Sequence, residues 1–332
     1  MSNCEISKTE SSGATQATYA PIFQKRKRSG DAKKARIKET IFYMLIVVPP
    51  MIQLSIFYIY VNIDAFFMSF QKWDAVTDTF SWVGFDNYDK AVSSLFVDGS
   101  WLNVSFKQTM LGWLLGHIFV PLDLIFAYYC YKKMPGWSFF KGMLYLPSVL
   151  SGMVLGLING YLFDMLIPEV ALKYFNVVVD PLIYTGGWRT WWFIFWFNGF
   201  VGIGTGLLLY CTMMSRIPET LTEYAYLEGM GPLREFVTIV LPLIWGTVAV
   251  NLVGSVAGIF AVGGGTWFVY YGTGSTNPSS VGYYIYSQTL MSVGYSNYPM
   301  ASACGMFFTC IAIPLTFLVR WVTNKIDPKV QY

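Results

Sequence analysis

Residues 216–242 read RIPETLTEYAYLEGMGPLREFVTIVLP and place several charged side chains close together between two long apolar stretches. Pro218 suits the first turn of a helix, and the helix dipole favours the glutamates that follow it. The segment 229–232 ends that helix, because glycine suits a helix C-terminus and proline begins a new element. The pattern predicts a solvent-exposed helix–turn–helix to which another protein can bind.

The chain as a whole has the composition of a membrane protein. Of its 332 residues, 55% are hydrophobic and 12% are charged, whereas a soluble domain carries about 25% charged residues. Aromatic residues make up 18%, and Trp and Tyr side chains favour the membrane–water interface. We predict an all-α, polytopic membrane protein.

Six stretches are long and apolar enough to cross a bilayer as helices, which requires about 20 residues. These predicted spans are 41–64, 108–131, 142–163, 190–215, 239–262 and 299–320. No charged residue occurs between Phe236 and Val319, but the Gly-, Ser-, Asn- and Tyr-rich segment 263–298 in its middle is typical of a loop. The loop at 216–240 then lies between the fourth and fifth spans.

The Lys and Arg residues of the short loops predict the orientation, since such residues stay on the cytoplasmic side. They concentrate in residues 1–39, near Lys132, around 216–234 and after Arg320, whereas the opposite side is rich in Asp. Both termini are therefore expected in the cytoplasm, with residues 1–39 as a partly disordered basic tail and 40–325 as the membrane domain. The basic tail is interpreted as a topology signal rather than as a nucleic-acid site.

The 216–242 segment resembles the coupling loop of binding-protein-dependent ABC importer permeases. The family pattern is E-A-A, three residues, G, nine residues and I-x-L-P. Here it reads 223–225 (Glu-Tyr-Ala), then Gly229, then 239–242 (Ile-Val-Leu-Pro), with every spacing matched. The resemblance implies the type I importer fold in a bacterial plasma membrane. It also implies that ATPase coupling is carried by Glu223, Ala225, Glu228, Gly229, Ile239, Leu241 and Pro242.

A second resemblance narrows the family to carbohydrate permeases. Residues 68–70 (Met-Ser-Phe) and 83–88 (Val-Gly-Phe-Asp-Asn-Tyr) resemble the S-F…VG-x-x-N-Y signature of sugar-type permeases, most typical of the maltose-type F partner. A third segment, 272–276 with 284–286 (Tyr-Ile-Tyr), is similar to their outer loop but lacks its proline. The family implies a second homologous permease, two ABC ATPase subunits that hold ATP and Mg, and an extracytoplasmic sugar-binding protein. We expect this chain itself to bind no cofactor and to catalyse no reaction.

The resemblance also implies a substrate path along the fourth and fifth spans. The family's cavity positions fall on small and apolar residues here, which puts maltose itself in doubt and leaves room for an oligosaccharide. Trp191, Trp192 and Trp196 are interpreted as interface anchors. The candidate substrate-path residues are Asn198, Val201, Gly202, Thr205, Asn251, Ser255, Gly258, Ile259 and Val262.

The glycines of these two spans allow two interpretations. They either widen the cavity or let helices pack closely. The residues in question are Gly202, Gly204, Gly206, Gly254 and Gly258.

Several chemistries are excluded or left open by the remaining residues. The sequence has no G-x-x-x-x-G-K-[ST] phosphate loop, and its single histidine, His117, excludes any two-His metal site. None of the five cysteines forms a C-x-x-C pair. Asp123 lies within a span, where an ionisable group is costly and often functional. The alternatives are a permease for another small solute, a polytopic glycan or lipid transferase, and a proton-coupled carrier that uses Asp123.

Overall fold

The structure is a computed structural model that describes residues 30–181, 187–261, 280–290, 292 and 294–328. Within these residues, six helical spans are long and apolar enough to cross a membrane, which confirms the predicted six-span α-helical fold. The spans are Arg36–Met68, Trp101–Tyr131, Gly152–Phe175, Trp188–Met214, Pro232–Ala257 and Tyr298–Ile326.

The first span runs through α1 (Gly30–Gln53), a π-helical segment (Leu54–Tyr60) and α2 (Val61–Met68). The described residues 30–61 belong to one compact unit, and the described residues from Asn62 onward belong to another. All packing described below lies within the second unit.

A short hairpin and a helix follow the first span. Strands β1 (Gln71–Asp74) and β2 (Thr79–Trp82) pair antiparallel and are the one departure from the predicted all-α class among the described residues. In their turn, the backbone N–H of Val76 donates to Asp74 Oδ1 at 2.9 Å, and this hydrogen bond lowers the pKa of the Asp74 carboxyl. Helix α3 (Asp86–Phe96) comes next.

The sugar-permease signature has a structural role at this place. The buried Asn87 amide donates to the carbonyl oxygens of Ser69 at 3.0 Å and of Gln71 at 2.7 Å. The Tyr88 hydroxyl lies 2.7 Å from Ser69 Oγ, and Gly84 takes the left-handed conformation with φ +61°. These bonds join the end of α2 and the start of β1 to α3.

The second span consists of α4 (Trp101–Gly116) and α5 (Phe119–Tyr131). The helix breaks at residues 117–118, where Pro121 supplies no N–H to the carbonyl of His117. This proline, which lies within the predicted second span, therefore coincides with an interruption in the helix.

The predicted third span, 142–163, is not one continuous helix. Helix α6 (Trp137–Val149) ends at Leu150, which is extended, and Ser151 Oγ then accepts from the Val154 N–H at 3.3 Å as the N-cap of α7 (Gly152–Gly160). The third span continues through a π-helical segment (Tyr161–Leu166) and α8 (Ile167–Phe175). The serine cap divides an apolar run that hydropathy alone joins together.

The fourth span is α9 (Gly187–Met214), which leads into the loop helix α10 (Glu219–Leu227). The fifth span starts at Pro232, seven residues before the predicted 239, and runs through α11 (Pro232–Glu235), a π-helical segment (Phe236–Val240) and α12 (Leu241–Ala257). Helices α13 (Val281–Leu290) and α14 (Tyr298–Ile326) complete the described chain.

Two of the π-helical segments lie just before a proline. Pro168 follows 161–166 and Pro242 follows 236–240, so the carbonyl four residues before each proline lies in a widened turn. Because proline has no N–H to donate, a wider turn lets the helix continue past it.

Two buried clusters hold the bundle together. One joins α5, α9 and α12 next to the loop helix, and the other joins α3, α4, α13 and α14. The first contains Leu124, Ala127, Tyr128, Tyr210, Met214, Ile217, Val240, Ile244 and Val248. The loop helix therefore begins next to the first cluster, in which α5, α9 and α12 pack together.

Some glycines of the fourth span allow close helix packing, and others face open space. A Cβ at Gly204 would collide with the backbone carbonyl of Leu144 in α6, and one at Gly206 would collide with the Asp123 carboxylate in α5. A Cβ at Gly202 would meet no atom within 4 Å. Gly204 and Gly206 therefore serve close helix packing, whereas Gly202 faces open space.

We predict that Gly204→Ala destabilises the bundle by about 1–3 kcal/mol, because the colliding atom is backbone and cannot rotate away. Gly202→Ala, on the same helix, is the matched control and should change stability little. The measurement is the midpoint of thermal aggregation of the purified protein. Equal midpoints for the two variants would contradict the packing described for α6 and α9.

Candidate coupling loop and transmembrane cavity

The loop helix α10 ends in a Schellman motif built on Gly229. Gly229 has φ +69°, its N–H donates to the Tyr226 carbonyl at 3.0 Å, and the Met230 N–H donates to the Ala225 carbonyl at 2.9 Å. Glycine suits this position because other residues are strained in the left-handed conformation. The motif fixes a sharp turn between α10 and the fifth span.

The loop helix has one anchored face and one open face. Ala225, 1% exposed, faces the bundle, and Ile217 before the helix belongs to the buried cluster. Glu223 and Glu228 are exposed. Large apolar side chains accompany them at unusually high exposure, namely Tyr224 (65%), Tyr226 (83%), Leu227 (78%) and Leu233 (77%).

An ion pair between a buried carboxylate and a half-buried lysine anchors the loop to the second span. The Glu235 carboxylate is 6% exposed, lies 2.5 Å from Lys132 Nζ, and accepts a hydrogen bond from the Tyr128 hydroxyl at 3.2 Å. The Lys132 ammonium also lies 5.8 Å from the centre of the Tyr131 ring. Sequence reasoning missed Glu235 as an anchor, because a glutamate in a charged loop gives no sign of burial.

The remaining predicted coupling residues lie where the loop enters the fifth span. Ile239 is half-buried in the π-helical segment, Leu241 packs against the buried cluster, and Pro242 lies in the first turn of α12. The predicted coupling residues therefore comprise exposed glutamates on the loop helix and more buried residues where the loop packs against the helical bundle.

A cavity of about 530 Å³ lies among α4, α5, α9 and α12. This volume falls within the range of small-molecule sites, about 300–1,000 Å³. Five predicted substrate-path residues line it, namely Asn198, Gly202, Ser255, Gly258 and Ile259. Val201 and Thr205 are not among its lining residues, and Val262 lies outside the described residues.

Two predicted asparagines already have partners. The Asn198 amide donates to the Ile194 carbonyl in its own helix at 3.0 Å. The Asn251 amide donates to the Tyr210 hydroxyl at 2.8 Å and lines a smaller cavity of about 240 Å³ beside the first. Asn251 therefore joins α12 to α9.

The second span contributes cavity residues that sequence reasoning did not assign to the substrate path. Gln108, Thr109, Trp113 and Asp123 all line the larger cavity. Trp191 lies there too, 2% exposed and stacked on Phe195, so it is not the interface anchor that we predicted. The only sequence feature that indicated a role for Gln108 was its position as an uncharged polar residue among apolar ones.

His117 is a packing residue that is hydrogen-bonded within its own span. Its Nδ1 lies 2.7 Å from the Trp113 carbonyl oxygen, and its ring meets the Trp113 ring edge-to-face with centroids 4.6 Å apart. Within the described part of the chain, no group of three or more His, Cys, Asp or Glu residues is placed to hold a metal ion.

These features define a class of protein: a multi-pass helical membrane protein with a cavity between its helices and a loop helix that has an exposed apolar face. No protein-family model matches the chain. It is 25% identical over 273 residues to the multiple sugar-binding transport system permease MsmF of Streptococcus mutans, covering 77% of this chain and 87% of MsmF. It is 22% identical to the arabinooligosaccharides transport system permease AraP of Bacillus subtilis, covering 91% and 94%.

The fold agrees with these relatives. A bacterial ABC transporter involved in the import of the acidic polysaccharide alginate contains a chain that superposes with TM-score 0.69 at 19% identity, covering 89% of this chain and 99% of that one. The sn-glycerol-3-phosphate permease UgpA of Agrobacterium fabrum is 25% identical, covering 85% and 94%. Over most of its length the chain is therefore similar in sequence to permeases of sugar and sn-glycerol-3-phosphate transport systems, and it shares the fold of an ABC importer permease.

The anchor makes a testable prediction about stability. Lys132→Met should destabilise the protein by about 1–3 kcal/mol, because it leaves the Glu235 carboxylate buried without its cation. Lys133→Met, next in sequence and exposed, is the control and should be neutral. The measurement is thermal unfolding of the purified protein.

The double variant Lys132→Met/Glu235→Gln should recover part of the stability, since the unpaired charge is then gone. A double variant whose losses simply add would show that the two side chains do not interact.

Proposed function

We propose that this chain is one permease subunit of an ABC importer that carries an oligosaccharide inward and that hydrolyses no ATP itself. Two observations support the proposal: the exposed loop helix with its matched coupling spacing, and a cavity of suitable size in the bundle. Relatives described as permeases for multiple sugars and for arabinooligosaccharides support a carbohydrate substrate.

The open face of the loop helix is the docking site for an ATPase subunit. Exposed Tyr226 and Leu227 would face water unless a partner covers them, and such patches mark interaction sites. Beside them lies a groove of about 370 Å³ lined by Lys132, Thr222, Glu223, Tyr226 and Leu227. A carboxylate next to an apolar surface suits a partner that offers both apolar contacts and a positive charge.

The loop transmits motion because it is held rigidly at both ends. Ile217 and Ala225 anchor α10 in the buried cluster, and Glu235 ties the following turn to Lys132 of the second span. A displacement of α10 by ATP-driven closure of the ATPases would therefore move α5, α9 and α12 together. These are three of the four helices around the cavity, so the movement would change access to it.

The other partners follow from this arrangement. Two ABC ATPases carry ATP and Mg, a second permease homologous to this chain completes the translocation path, and a binding protein delivers sugar to the opposite face. One solved transporter similar in fold was crystallised with an alginate pentasaccharide-bound periplasmic protein, which supports a binding protein here. The charge distribution of the short loops supports a plasma-membrane orientation with both termini in the cytoplasm.

A second substrate class has a specific observation in its favour. Several relatives of about 25% identity are sn-glycerol-3-phosphate permeases, so a phosphate ester is the alternative cargo. None of the described residues that line the larger cavity is Lys, Arg or His, so that cavity offers no cation to bind a phosphate group. His117 lines only the smaller cavity, with its Nδ1 at the Trp113 carbonyl oxygen. We therefore favour a sugar.

We predict that Glu223→Ala abolishes coupling. In proteoliposomes containing the assembled transporter, uptake and binding-protein-stimulated ATP hydrolysis should both fall at least about tenfold, because a charged contact to the ATPase is lost. Glu219→Ala, in the first turn of the same helix and outside the family spacing, is the matched control. Unchanged uptake by the Glu223 variant would argue for an enzyme or a secondary carrier instead.

We predict that a green fluorescent protein fused after Tyr332 is fluorescent and that alkaline phosphatase fused there is inactive. The reason is that the Lys and Arg residues after Arg320 keep this end in the cytoplasm. The same reporters inserted at Gly99, between α3 and α4, should give the opposite result. The reverse pattern would overturn the orientation and put the loop helix on the wrong side for an ATPase.

A further inference from the structure

Two buried polar side chains of the second span lack hydrogen-bond partners and line the same cavity. Gln108 is 1% exposed, and neither its amide nitrogen nor its amide oxygen has a partner among the described residues. Asp123 is 7% exposed, and its Oδ1 likewise has no partner there. Buried polar groups are normally satisfied, so two such groups facing one cavity need an explanation.

The surrounding wall is suited to a sugar. Trp113 and Trp191 present aromatic rings to the cavity, and the Trp113 indole N–H is also without a partner among the described residues. Ser255 adds a hydroxyl that donates to the Leu252 carbonyl of its own helix and can still accept a hydrogen bond, whereas the Thr109 hydroxyl is already bonded to Ser105 and Val281. Sugars combine hydroxyls that bond to carboxylates and amides with C–H faces that pack on aromatic rings, so both kinds of lining residue are matched.

The cavity carries a carboxyl group and no compensating cation. None of the described lining residues is Lys, Arg or His, and the segment 262–279, which follows the fifth span, contains no charged residue in the sequence. Asp123 fits only because Gly206 opposite it has no side chain. An anionic ligand would lose its hydration here without gaining a positive partner, which is costly.

We propose that Gln108 and Asp123 form the hydrogen-bonding centre of a transmembrane site for a neutral sugar, and that this site rejects uronates and sugar phosphates. The proposal rests on the sugar-permease function and specifies its substrate class. Asp123 accepts hydrogen bonds from the hydroxyls, Gln108 both donates and accepts, and Trp113 and Trp191 form the apolar wall. Asp123 is thereby a binding residue rather than a proton-coupling group.

The test measures binding to the assembled transporter in nanodiscs, without the binding protein, by saturation-transfer NMR. The neutral probes are maltotriose and arabinotriose, and the anionic probes are trigalacturonate and glycerol 3-phosphate. We expect the wild-type complex to bind at least one neutral trisaccharide and neither anionic probe. Asp123→Asn and Gln108→Met should each weaken neutral binding by about tenfold or more.

Asp164→Asn is the matched control, because Asp164 is another carboxylate within a span and is not among the cavity residues. It should leave binding unchanged. Size-exclusion chromatography of each complex, with every subunit present in the wild-type ratio, shows that the variants are assembled. Two chemically different substitutions on separate helices keep the test meaningful if one of them fails to assemble.

Two results would overturn the proposed site while leaving the permease function intact: neutral binding that is unaffected by both substitutions, or trigalacturonate binding as tight as that of the neutral probes. Failure of the wild-type complex to bind any trisaccharide would contradict the sugar-permease function together with the site. A complex that binds neutral sugar through Asp123 but shows no effect of Glu223→Ala would instead sustain the site and reject the coupling mechanism.

Discussion

The ion pair between buried Glu235 and half-buried Lys132 is the interaction on which the proposed coupling mechanism depends. A loop that works as a lever must leave the apolar bundle and still be held firmly by it. The carboxylate at 2.5 Å from the ammonium, with the Tyr128 hydroxyl as a second donor, fixes the loop turn to the second span. Gly229 fixes the other side of the same turn through its backbone bonds.

The second span links the two functional regions of the chain. Lys132, just past its end, holds the loop, while Asp123 and Gln108 lie further into the membrane at the cavity. In the proposed mechanism, a movement of the loop acts on the span that carries the proposed sugar-binding groups. The fourth span is packed against it through Gly206, so these two helices are expected to move as one.

The sequence was sufficient for the six spans and for the loop, because hydropathy and a fixed motif spacing are strong signals. It was insufficient for the break at Ser151, where a serine cap starts a new helix, and for the start of the fifth span, where Pro232 occupies the first turn. Of the residues that line the cavity, those of the fourth and fifth spans were partly predicted and those of the second span were not. Side chains in apolar spans show weak periodicity when lipid and neighbouring helices are equally apolar, so the facing of Gln108 and Asp123 could not be read from the pattern.

The central claim is that the exposed face of the loop helix contacts an ATPase subunit. The most direct measurement is site-specific cross-linking in the assembled transporter, with the native cysteines replaced and one cysteine introduced at Leu227 or, as a control, at exposed Val250 of the fifth span. The account predicts a cross-link to the ATPase from position 227 and none from position 250. An assembled, ATP-hydrolysing complex that gives no cross-link from 227 would contradict it.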